Sequence, residues 1–136
     1  MPGIPRSPKF WLFAVGMWFA VLWLLSSFST GPQSAPEIPH IDKIAHFGYF
    51  FGGGGLFAAY LFRRRPDAPD WRKIIGFTLL FFAIVGALDE WHQTFIQGRA
   101  GQPTDVAIDT VGATIALALL AAQWRGARTP SEEPTP

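Results

Sequence analysis

The chain has 136 residues, a formal net charge of +1, 13 phenylalanines and 6 tryptophans, and a mean hydropathy of +0.22. Its length fits one domain, and so apolar a composition leaves too little polar surface for a small water-soluble globule, so a lipid bilayer is the expected solvent. The lack of cysteine excludes disulfides and thiolate metal sites.

The first uncharged run, residues 10–28, would make a helix about 28 Å long, enough to cross the hydrocarbon. A cleaved signal peptide is the competing reading. Its apolar part is long for that role, and no small-x-small site precedes the prolines that follow. Residues 29–40 carry Pro and Ser without hydrophobic periodicity and read as a loop. A second helix is expected over 41–62, with Asp42 placed to cap its N-terminus. Its glycines Gly52–Gly55 would each weaken a helix in water by about 1 kcal/mol. In lipid they permit close approach, and Ala45, Gly48, Gly52, Gly55 and Ala59 share a face that reads as a packing groove rather than a ligand route. After the basic loop around Arg63–Arg65, two further helices are expected over 74–95 and 105–124, and the polar, Pro-rich tail 125–136 reads as disordered. The expected fold is therefore all-α, one polytopic domain over 1–124 with four transmembrane helices.

Orientation follows from the placement of the basic residues. With the N-terminus and C-terminus both cytoplasmic, all the lysines and arginines except Lys43 and Arg99 fall on the inner side. Trp11, Trp71 and Trp124 then lie at the inner interface. The run Arg63–Arg65 is thus a topology signal, and no nucleic-acid partner is expected.

That arrangement gathers the polar residues of three helices at the outer end. The second helix enters with Asp42, Lys43 and His46, and the third leaves with Asp89, Glu90, His92 and Gln93. The outer loop holds Arg99, and the fourth helix begins with Asp105 and Asp109. His46, Glu90 and Asp109 should lie at one depth, about one helical turn below the surface. Ionisable groups at such a depth usually face a protein interior or a wet cavity. Five carboxylates face Lys43 and Arg99, a surplus that suits a metal, an amine or a proton relay better than a bare anion. A phosphate held through a divalent cation would use both signs of charge, although nothing demands a cation. Structural readings stand beside these: Asp42 and Asp105 as helix caps, and Arg99 as a lock on a carboxylate. Tyr49 and Trp91 read as interface or packing aromatics. His46 and His92 are candidate metal ligands with Asp89, Glu90 or Asp109, but no H-x-x-x-H, H-E-x-x-H or nucleophile-elbow pattern is present, so no metal is identified by motif.

DKIAHF at 42–47 followed by DEWHQTFIQGRAGQPTDVAIDTVGA at 89–113 resembles the VanZ-like family of small membrane proteins. The matching positions are Asp42, Lys43, His46, Phe47, Glu90, Gln93, Phe95, Arg99, Asp105, Asp109 and Gly112. The chain departs from the pattern at Asp109, where many members have Asn, at Gln97, where Pro is common, and at Phe50, where Tyr is frequent. The resemblance implies a cell-envelope context, and through the founding member a link to teicoplanin resistance, but it supplies no reaction.

Two functions are then expected to compete. In the first, an outward polar pocket in the bacterial inner membrane binds or modifies an envelope lipid or lipid-linked headgroup. Glu90 or Asp109 would act as acid or base and His46 as proton partner, with Lys43 and Arg99 as anion clamp. Asp42, Asp89, His92, Gln93 and Asp105 would complete the site. In the second, a non-enzymatic partner-binding or structural module uses the same residues as an interhelical lock. A proton or cation path is the weakest reading, because the inner halves of the spans lack ionisable groups. No oligomeric state follows from the sequence.

Overall fold

A computed structural model describes residues 7–28, 41–97 and 101–126, with side chains described at all of these except 41, 42, 125 and 126. The described residues form four helices and no strand: α1 (Pro8–Ser26), α2 (Ile41–Arg64), α3 (Trp71–Gln93) and α4 (Pro103–Gly126). The loop 29–40, the tail from 127 onward and Arg99 lie outside the described residues.

Local chemistry accounts for the helix ends. Pro8 and Pro103 open α1 and α4, where a missing N–H costs nothing and the fixed φ suits a helix. That is why α4 starts ahead of Asp105. Asp105 is consequently a first-turn residue, not the cap, and its backbone N–H donates to the Gln102 carbonyl at 2.8 Å. Asp42 likewise stands inside the first turn of α2, one residue after Ile41, and not ahead of it. Asp70 caps α3, its side chain accepting from the Lys73 backbone N–H at 3.2 Å. This draws the start of α3 back to Trp71 from the expected residue 74. Helix α2 runs on to Arg64 and stops just before Pro66.

Helix α2 packs against all three others, while α1 and α4 do not touch among the described residues. Helices consecutive in the chain run antiparallel, so the closely packed α2 and α4 run parallel. Trp23 near the end of α1 meets His92 near the end of α3, while His46 and Asp109 bring the starts of α2 and α4 to that same end. Two glycines decide the α2–α4 approach. A Cβ on Gly54 would lie 2.5 Å from the Ala113 Cα, and one on Gly112 would lie 2.6 Å from the Phe47 carbonyl oxygen. Gly53 makes room for the Trp18 ring of α1. The expected groove is corrected in part: Ala45, Gly48 and Gly52 are exposed and a Cβ on Gly48 or Gly52 meets nothing within 4 Å, whereas Gly55 approaches Leu120 and Ala59 is buried.

The central core joins Trp18, Leu22, Phe50, Phe82, Val85 and Ala113, and a second cluster joins Ala58, Phe62, Ile74 and Leu117 near the opposite end. Trp18 and Tyr49 lock α1 to α2 reciprocally: the indole N–H donates to the Tyr49 carbonyl at 3.0 Å, and the phenol donates to the Trp18 carbonyl at 2.7 Å. Outside this core the surface is itself apolar, with Phe13 and Phe95 each 68 % exposed. Helices α1, α3 and α4 are long and apolar enough to cross a membrane. Helix α2 is not among those three. Its glycines, histidine and tyrosines dilute its hydropathy.

Candidate functional site: a buried acid–histidine cluster

At the end where α2 and α4 begin and α3 finishes, polar side chains of three helices meet. His46 lies five residues into α2, Asp109 six into α4 and Glu90 three from the end of α3. At 1.5 Å per residue these are depths of about 4 to 9 Å below the helix ends. The helical periods turn all three inward. Asp109 is fully buried, and Glu90 is 6 % exposed.

His46 Nδ1 lies 3.1 Å from Asp109 Oδ1 and 4.0 Å from Glu90 Oε1, so one ring on α2 faces carboxylates from both α4 and α3. Glu90 Oε2 accepts from the Gln102 backbone N–H at 2.5 Å, tying α3 to the residue that precedes α4. Nearer the helix ends Lys43 Nζ reaches Asp105 Oδ1 at 2.6 Å and Gln102 Oε1 at 3.4 Å. Asp89 is buried and accepts from Gln93 Nε2 at 2.8 Å within α3. In this cluster three carboxylate oxygens are buried with no hydrogen-bond partner among the described residues: Asp89 Oδ1, Glu90 Oε1 and Asp109 Oδ2. Such groups are rare in folded proteins, because each has given up water without replacement.

The expected site residues thus divide. His46, Glu90, Asp109, Lys43 and Asp105 come together, with Asp89 and Gln93 beside them. His92 turns the other way, its ring stacked on Trp23 of α1 at 4.2 Å between centroids. Its two-residue offset from Glu90 puts it on the far side of α3, so it leaves the cluster. The side chains of Asp42 and Arg99 lie outside the described residues. Gln102 was not expected at the site. Its signal was its place directly before Pro103, where a helix-opening residue offers a free N–H.

The arrangement defines a small helical membrane protein that buries ionisable groups at one end of a bundle with an apolar exterior. The chain belongs to the VanZ/LLP1 family, whose model matches residues 10–124 and so spans all four helices and the cluster. Neither the curated proteins nor the solved structures contain a match.

Proposed function

We propose that the chain is a bacterial inner-membrane protein whose polar end faces outward and engages the headgroup of an envelope lipid or lipid-linked precursor. The observation that carries this reading is the set of unsatisfied oxygens on Asp89, Glu90 and Asp109, beside His46 and close to Lys43. A ligand that completes their coordination relieves a desolvation cost the fold otherwise bears. The carboxylates suit a cationic portion of a headgroup, and Lys43 with the α4 N-terminus suits its anionic portion. His46 and Asp109 are poised as a proton-handling pair should the headgroup be modified. Supporting the orientation, Arg63, Arg64, Arg72 and Lys73 lie at the opposite end of the bundle. With α2 crossing as well, both termini are cytoplasmic, and the family link suggests altered teicoplanin susceptibility as the phenotype.

The test substitutes Glu90, Arg99 and Asp105 singly by Ala. It measures membrane accumulation, thermal unfolding, lipids co-purified by mass spectrometry, and teicoplanin susceptibility. The reading expects loss of lipid and phenotype in variants that still accumulate and melt normally. If every loss tracks loss of folded protein, the site is not a headgroup site.

A second reading is favoured by the same ties: Lys43–Asp105, His46–Asp109 and Glu90–Gln102 each bridge elements distant in sequence. They would then serve as an interhelical lock in a structural or partner-binding module, and the variants above would fail together in stability and phenotype.

A further inference from the structure

We propose that His46, Glu90 and Asp109 bind one divalent transition-metal cation of the zinc or manganese type. Each offers one donor atom, and the three atoms lie within 4.8 Å of one another. Donors on one such ion sit about 2.0–2.2 Å from it, hence about 3–4 Å apart. The His46–Asp109 and His46–Glu90 separations of 3.1 and 4.0 Å already fall in that range. The remaining closure is a side-chain torsion of Glu90, the longest of the three.

Proximity alone would describe an acidic cluster, and two further features point to a cation. Glu90 Oε1, on the side of the carboxylate that faces His46, has no hydrogen-bond partner among the described residues, and neither has Asp109 Oδ2. Both residues are more than nine-tenths buried. Among the described residues His46 is the one base within ion-pair distance of either carboxylate. A neutral imidazole and two carboxylates carry two negative charges, which one divalent ion cancels in a medium that screens little. Glu90 is held from behind by the Gln102 N–H, the outer support that ligating carboxylates commonly have. His46 keeps 12 % of its side chain exposed, which leaves a way in.

The donor set chooses the metal class. One imidazole nitrogen disfavours calcium and magnesium, which take oxygen ligands, and the absence of sulfur disfavours copper(I). Three protein donors leave at least one coordination position open. On binding, Nδ1 gives its lone pair to the ion and the ring proton moves to Nε2, so the direct His46–Asp109 hydrogen bond is exchanged for two metal bonds. The cation site does not depend on lipid binding.

The test uses the full chain purified in detergent, stripped with chelator, and titrated with zinc sulfate or manganese chloride alone. Metal content after desalting and the shift in melting temperature are read together. The expected result is about one equivalent per chain and a higher melting temperature. His46→Ala, Glu90→Gln and Asp109→Asn should each weaken binding about tenfold or more, while His92→Ala leaves it unchanged. The proposal is overturned if the folded wild-type chain retains no metal. It is overturned equally if binding survives in the three variants, or falls as far with His92→Ala. Lipid retention is scored on the chelator-stripped protein in parallel, so loss of the headgroup reading and loss of the metal site register separately.

Discussion

Helices α2, α3 and α4 meet twice, and the two meetings are built from opposite chemistry. At one end His46, Glu90 and Asp109 join the three helices through charge and leave oxygens unsatisfied. At the other, Phe62 stacks on Trp124 at 4.1 Å and lies 5.8 Å from Trp71, with Ile74 and Leu117 beneath. Rings and aliphatic groups at that end complete one another by contact, and the junction contains no buried carboxylate. The polar end makes the same three-helix junction at greater cost. A bundle needing only cohesion would have no reason to differ between its ends, which is why the polar end is the place to look for function.

The largest effect should come from breaking each junction once. In chelator-treated protein, Asp109→Ala should cost about 1–3 kcal/mol, because His46 Nδ1 loses its hydrogen-bond partner while Glu90 stays beside it. Phe62→Ala at the other end should cost more, about 3–5 kcal/mol, through lost transfer energy and a cavity. The comparison is sharpened by His46→Leu/Glu90→Gln/Asp109→Leu, which leaves no charge at these three positions and should recover much of the loss in thermal unfolding. No second substitution can recover Phe62→Ala in that way. If that variant is as unstable as Asp109→Ala, the polar end is a stabilising lock like the aromatic one.

Between the two ends lies the α2–α4 crossing, where a smaller effect tests how the junctions are held in register. Gly54→Ala places a methyl 2.5 Å from the Ala113 backbone, so the helices must separate at a cost of about 1–3 kcal/mol. Gly48→Ala on the same helix meets nothing and should leave the melting temperature unchanged or slightly higher. Equal responses at the two positions would mean that this crossing is not the close contact described.

The smallest effect lies in the loop beside the aromatic end. The Lys73 backbone N–H, and then its side chain, hold the Asp70 carboxyl below its ordinary value of 3.8. A depressed carboxyl contributes stability above the unfolded value and loses it as pH falls through the folded one. Asp70→Ala should therefore lower the melting temperature slightly near neutrality. Its difference from wild type should close once the pH drops below 3.8. A gap that persists undiminished in acid would remove the cap as its cause.

Much of this molecule was legible in its residues. Long apolar runs with charges only toward their ends placed four helices within a few residues of their ends, because a single segment in lipid satisfies its own backbone as a helix. The polar blocks around Asp42 and Asp89 identified the family, and the helical period placed His46, Glu90 and Asp109 at similar depths. Pro103 and Asp70, both visible in the sequence, are what moved the starts of α4 and α3. What sequence could not decide was which side of each helix faces which neighbour. His92 shares a segment with Glu90 and carries metal-ligand chemistry, yet it belongs to α1 through Trp23. Gly48 and Gly52 form a packing pattern that the fold leaves exposed, while Gly53 and Gly54, out of that pattern, receive Trp18 and Ala113. Periodicity fixes a residue's face relative to its own helix axis, but the rotation of that axis against three others is set by the sum of all contacts. Only the packed bundle brings His46 to two carboxylates and leaves their outer oxygens waiting for a partner.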